Sequence, residues 1–118
     1  MAVGDALGAP FEGMPSVSQI LLDKQILVPG LGSERGPLHY TDDTHMTLGV
    51  AESLLAKQGF NGSHMAETFA RSYEKEPWRG YGAGPPQIFN FLRQGVPWDQ
   101  AGRMLFAGTR WYLAWAMA

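Results

Sequence analysis

The chain has 118 residues, which is enough for one small domain and too few for two of ordinary size. Hydrophobic residues form 45% of it and charged residues 17%, a composition that indicates a packed globular protein and excludes a disordered one. The net charge of -2 supplies no broad basic surface, so we expect no direct binding to nucleic acid or to a membrane.

The first twelve residues combine small side chains with two acids. They contain no basic region and no sustained apolar stretch, so they do not predict a secretory signal. Because the sequence has no cysteine and no apolar run long enough to span a bilayer, the default compartment is the cytoplasm. Asp5 and Glu12 are candidates for metal binding or proton transfer, although such acids are more often solvated or cap a helix.

The next elements are predicted to be helical, with glycine and proline between them. Residues 16–23 predict a short helix, which a loop rich in glycine follows. Residues 44–57 predict the clearest helix of the chain, and Gly59 is expected to end it in the left-handed conformation. One apolar stripe runs along this helix and consists of Leu48, Ala51 and Leu55.

Three further helices are predicted downstream. The first covers residues 63–75, is stopped by Pro77 and is expected to bury Met65, Phe69 and Tyr73. The second is expected to begin at Pro85 and Pro86, which suit a first helical turn, and the third near Pro97. Residues 109–118 are rich in aromatic side chains and lack a clear helical stripe. They would form an exposed apolar tail that favours association unless something covers them.

Residues 40–44, which we call the acidic segment, place two adjacent carboxylates among hydroxyl groups at a predicted helix start. Thr41, Asp42 and Asp43 offer the hard oxygen atoms that magnesium prefers, and a helix start would hold them in place. Capping explains the same residues, because threonine and aspartate at a helix start satisfy its free N–H groups. The spacing alone leaves both interpretations open.

Residues 80–84 form a second motif, the glycine-rich loop, made of Gly80, Tyr81, Gly82, Ala83 and Gly84. Its N–H groups can bind phosphate beside a helix start. The loop lacks the lysine and the hydroxyl residue of a P-loop, so an ordinary turn is the simpler interpretation. The three histidines, His39, His45 and His64, have no zinc spacing and are expected to serve surface or packing roles.

Together and in order, these segments are similar to the opening half of the ADP-ribosylglycohydrolase family. The similarity rests on the motifs GDALGAPFE (4–12), YTDDTHM (40–46) and RGYGAG (79–84). It covers roughly residues 2–108, so the chain divides into a partial family domain, residues 1–108, and a divergent apolar tail, residues 109–118. Glu12 and the glycine-rich loop most resemble the branch that removes ADP-ribose from serine and from poly(ADP-ribose).

The resemblance implies an all-α fold, the N-terminal portion of the family's helical domain, with two magnesium ions in a central cleft. It implies that Thr41, Asp42 and Asp43 bind magnesium, that Glu12, Asp42 and Asp43 are catalytic, and that the glycine-rich loop binds substrate. The implied reaction is magnesium-dependent cleavage of the ribose glycosidic bond in ADP-ribosylated proteins or ADP-ribose conjugates. The alternatives are a non-catalytic ADP-ribose-binding module and a small helical interaction domain.

Two features of the family have no counterpart in this sequence. The family completes its metal site with a distal Asp-x-Asp-Thr motif, and after the position of Gly108 it continues into a substrate loop rich in glycine and asparagine. This sequence instead continues with Thr109, Arg110 and Trp111. We therefore expect an incomplete copy, from truncation or a shifted reading frame, that self-associates through exposed apolar surface.

Overall fold

The structure is a computed structural model that describes residues 1–12 and 38–105. Over these residues the regular structure is helical and contains no strand, which confirms the expected all-α fold. The elements are α1 (Ala2–Gly8), a 3-10 turn (Ala9–Phe11), α2 (Asp42–Lys57), α3 (Gly62–Lys75), α4 (Gly84–Arg93) and α5 (Trp98–Met104). The predicted helix at 16–23, the loop after it and the tail at 109–118 lie outside the described residues.

Local side chains account for the starts of the three downstream helices. The Asn61 side chain accepts a hydrogen bond of 2.9 Å from the backbone N–H of His64, which satisfies a free donor in the first turn of α3. Prolines occupy the first positions of α4, where no backbone N–H is needed, and Pro97 immediately precedes α5. All three predicted starts are therefore confirmed to within one or two residues.

Helix α2 faces its neighbours with small and polar residues instead of its leucines. It buries Thr44, His45, Gly49 and Ser53, whereas Leu48 is 53% and Leu55 80% exposed. The ring of Phe69 in α3 approaches so closely that a Cβ built on Gly49 would lie 2.9 Å from it. Close packing of α2 on α3 thus requires a face without large side chains, and the predicted leucine stripe lies on the outer surface.

Helix α2 ends at Lys57 as predicted, but the left-handed residue that follows it lies one position earlier than expected. Gln58 takes the left-handed conformation, with φ 54° and ψ 39°, and Gly59 follows it with φ 148°. The N–H group of Gly59 donates a 3.1 Å hydrogen bond to the carbonyl of Leu54. The glycine therefore completes the turn after the left-handed residue and does not itself supply that conformation.

The core of the described part is small and lies where α3, α4 and α5 meet. Its buried apolar residues include Ala70, Phe89, Ala101 and Leu105. The residues that α3 was expected to bury, Met65, Phe69 and Tyr73, are only half-buried. No helix in residues 1–12 or 38–105 is long and apolar enough to cross a membrane.

Candidate functional site

A cleft of about 1140 Å³ lies between the N-terminal helix, the start of α2 and the three downstream helices. Its lining contains Glu12, Thr41, Asp42 and Asp43. The rest of the lining is mainly apolar and includes Phe60, Met65, Phe69, Ile88, Leu92 and Trp98. The cleft therefore brings three predicted metal ligands and the predicted catalytic glutamate together, and we call these four residues the acidic wall.

Asp5 of α1 caps helix α2 from a different part of the chain. One carboxylate oxygen accepts from the backbone N–H of Thr41 at 2.8 Å, and from the N–H and the hydroxyl of Thr44 at 3.3 and 2.6 Å. The other accepts from the Thr41 hydroxyl at 2.5 Å. Thr41 thus occupies the N-cap position but makes no side-chain cap of its own. The capping that the sequence assigned to Thr41 and Asp42 is performed by Asp5.

These four hydrogen bonds also determine the ionisation of Asp5. Partial burial would raise the pKa of the carboxyl group, but the hydrogen bonds from Thr41 and Thr44 favour the ionised form and lower the pKa below its ordinary value. A carboxylate beside the positive end of the α2 dipole is stabilised further. Asp5 is consequently a structural anion, and its oxygens are already engaged by the protein.

Asp42 has the opposite electrostatic environment. Burial and the charge of Asp43 raise the pKa of its carboxyl group, and the charge of Glu12 adds to this effect. Asp43 and Glu12 therefore both lie near enough to Asp42 to repel its charged form. Bound positive charge would relieve this repulsion, and the donors are hard oxygens of the kind that magnesium accepts.

The carbonyl before the acidic pair is held by a buried arginine. Arg79 donates a 2.9 Å hydrogen bond from its guanidinium to the backbone oxygen of Tyr40, and the guanidinium carbon lies 3.6 Å from the centre of the Tyr40 ring. The same guanidinium forms bonds of 2.9 and 3.0 Å with the carboxylate of Glu76. A cation that is paired and stacked in this way fixes the backbone that leads into Asp42.

His45 bonds through both of its ring nitrogens, one turn after the start of α2. Nδ1 lies 2.8 Å from the hydroxyl of Tyr81, and Nε2 lies 3.3 Å from the carboxylate of Glu76. Burial, together with the charge of Asp42, raises the pKa of Tyr81 to about 12, so its hydroxyl keeps its proton at neutral pH. The packing role expected of His45 is therefore accompanied by two polar contacts.

The glycine-rich loop lies beside the acidic segment. Gly80 adopts φ +81°, and a Cβ built on it would lie 3.8 Å from Cβ of Thr41, so the loop backbone runs close to that threonine. Among the described residues the cleft lining includes Pro85 and Ile88 of α4 but none of residues 80–84. The loop thus supports the acidic wall and leads into a helix that lines the cleft.

The contacts made by Asp5, His45 and Arg79 could not be identified from sequence spacing. Asp5 and Thr41 are separated by 36 positions, as are His45 and Tyr81. The only local signal was the helix start itself, whose free N–H groups require an acceptor. Within the described residues no group of three or more His, Cys, Asp or Glu side chains is arranged to hold a metal ion.

Together, the helical fold and the acidic helix start on a cleft define an all-helical protein with a carboxylate-lined site. The ADP-ribosylglycohydrolase family profile matches residues 1–116, and the chain belongs to this family. This finding confirms the family resemblance of the sequence motifs.

Three vertebrate relatives show how much of the family domain is represented. The chain is 42% identical over 96 residues to the ADP-ribosylhydrolase ARH3 of Mus musculus, and 43% identical over 96 residues to that of Homo sapiens. It is 44% identical over 101 residues to the ARH3 of Gallus gallus. Each match includes 76% of this chain, and 26%, 26% and 27% of the respective relatives. The chain thus spans about a quarter of the length of these relatives.

Proposed function

We propose that the chain takes part in magnesium-dependent hydrolysis of the ribose glycosidic bond of ADP-ribosylated proteins or ADP-ribose conjugates. The observation that carries this proposal is that Glu12, Asp42 and Asp43 line one cleft, where the charges of the other two raise the pKa of Asp42. The similarity of the chain to relatives named ADP-ribosylhydrolase supports this proposal. Serine-linked ADP-ribose is the substrate that the motifs favour.

The residues have distinct roles in this proposal. Thr41, Asp42 and Asp43 would hold magnesium, which when bound orients ribose hydroxyls and activates water. Hydrolysis of a glycosidic bond also needs a group that accepts or donates a proton at the attacking water. Glu12 lines the same cleft as these residues, so we assign it that role.

The first test is release of ADP-ribose from a peptide that carries serine-linked ADP-ribose, measured with and without magnesium. We expect release that requires magnesium, that Asp43→Asn abolishes and that Glu12→Gln slows by about 10²- to 10⁴-fold. Glu67→Gln, which alters an exposed acid on α3, is the matched control and should leave release unchanged. Release that survives Asp43→Asn would contradict the assignment.

A non-catalytic ADP-ribose-binding module is the second candidate. It is favoured by the finding that, among the described residues, no group of three or more His, Cys, Asp or Glu side chains is arranged to hold a metal ion. Isothermal titration with ADP-ribose separates the two functions. Binding that is insensitive to magnesium and accompanied by no release would support the module and contradict the hydrolase.

A further inference from the structure

The acidic segment and the residues before α4 are joined by a continuous chain of polar contacts. It runs from the Tyr81 hydroxyl to His45, from His45 to Glu76, from Glu76 to Arg79, and from Arg79 to the carbonyl of Tyr40. Two members of this series of contacts, Tyr40 and His45, flank Asp42 and Asp43 in the sequence. The stretch that bears the acidic pair is therefore attached on both sides to the stretch that bears the glycine-rich loop.

The partners of His45 define how its ring is used. The carboxylate of Glu76 can only accept, so the neutral ring carries its proton on Nε2 and leaves Nδ1 as an acceptor. The Tyr81 hydroxyl then donates to Nδ1 over 2.8 Å. Since His45 is only 8% exposed, bulk water has little access to this hydrogen bond. The contact is thus directional and ties one loop residue to one face of α2.

We propose that His45 is a positioning residue that holds the glycine-rich loop against the acidic segment. The inference deepens the proposed function and rests on it, because the attachment fixes the glycine-rich loop, and the start of α4 that follows it on the cleft, relative to the residues assigned to magnesium. Gly80 runs against Thr41 at one end of the loop, and Phe89 of α4 packs against the Tyr81 ring at a centroid distance of 6.0 Å. His45 supplies the polar attachment between these two contacts.

Ring packing alone does not explain the attachment. The Tyr81 ring meets the Tyr73 ring edge-on, with centroids 5.0 Å apart, and this contact survives removal of the hydroxyl group. Tyr81→Phe therefore isolates the hydrogen bond. Tyr73→Phe is its matched control, since it removes a hydroxyl from the neighbouring ring and leaves the bond to His45 intact.

Two substitutions of His45 separate its two contacts. His45→Asn places an amide oxygen near the position of Nδ1 and can still accept from Tyr81, whereas His45→Gln reaches toward Glu76 and loses that acceptor. We expect Tyr81→Phe and His45→Gln to lower the backbone order parameters of residues 80–84 from about 0.85 toward 0.6. Both should weaken ADP-ribose binding about five-fold, whereas His45→Asn and Tyr73→Phe remain within about two-fold of the unsubstituted protein.

The measurements are NMR relaxation of the loop amides and calorimetric titration with ADP-ribose, both on the full chain. A loop that stays ordered in Tyr81→Phe, or a His45→Asn variant as impaired as His45→Gln, would overturn the positioning role. If the unsubstituted chain binds no ADP-ribose, the proposed function fails separately. The order parameters alone then decide whether His45 holds the loop.

Discussion

At the scale of single residues, the most consequential contact is that of Asp5 with the start of α2. A cap and its charged hydrogen bonds typically contribute about 1–2 kcal/mol to the free energy of unfolding. Asp5→Ala leaves the donors of Thr41 and Thr44 without their acceptor, so we expect a loss of that size in urea denaturation. Asp99→Asn, in the exposed first turn of α5, is the control and should change the value by less than about 0.5 kcal/mol.

The same residue gives the stability of the fold a defined pH dependence. The folded-state pKa of Asp5 lies below its unfolded value, which is near 3.8, so its stabilising effect is complete above that value. It is lost as the pH falls through the folded-state pKa. Asp5→Ala should therefore destabilise the protein less at pH 3 than at pH 7, as measured by denaturant unfolding at the two values. An equal loss at both would contradict the linkage.

The contribution of Asp42 to stability is expected to depend on pH in the opposite direction. Its folded-state pKa is raised, so its ionised form opposes folding above that pKa, and the cost disappears as the pH falls through it. We predict that Asp42→Asn raises the melting temperature at pH 7 and that the gain shrinks toward pH 4. If Asp42→Asn instead lowers the melting temperature at pH 7, while the control Glu67→Gln leaves it unchanged, repulsion of Asp42 on the acidic wall is contradicted.

At the scale of elements, local signals predicted where helices begin but not which face is buried. Pro85 and Pro97 act within a single turn, and the structure confirms the helix starts they indicate. The buried face of α2 depends on how closely α3 approaches Gly49, which is a tertiary property. In the candidate site, the motifs identified the acidic residues, whereas their supports, Asp5 and Arg79, came from distant positions.

The contact between α3 and α5 provides a test of packing at this scale. The indole of Trp98 lies on Gly62 so closely that an added Cβ would overlap the ring, whereas a Cβ on Gly102 would meet nothing within 4 Å. Gly62→Ala should therefore destabilise the fold by about 1–3 kcal/mol and change the fluorescence of Trp98. Gly102→Ala, inside α5, should be neutral or stabilise it by up to about 1 kcal/mol. Equal effects of the two substitutions would refute the close contact.

At the scale of the whole molecule, the described part of the chain combines a small core with leucines that are exposed on α2. The chain spans about a quarter of the length of the relatives it matches. Over the residues that the structure describes, Leu48 and Leu55 lie seven positions apart on the outer surface of α2. An exposed apolar stripe of this kind favours association, because burying it removes apolar area from water.

We predict that two copies associate through this stripe. Sedimentation velocity should show a mass that rises with protein concentration, and Leu55→Lys should shift the chain toward the monomer because a charge would be buried in the interface. Val3→Lys is the matched control: Val3 is 70% exposed on α1, close to the 80% of Leu55, and lies on a different helix. A mass that is independent of concentration, or an equal effect of both lysines, would show that the leucine stripe is not the surface through which copies associate.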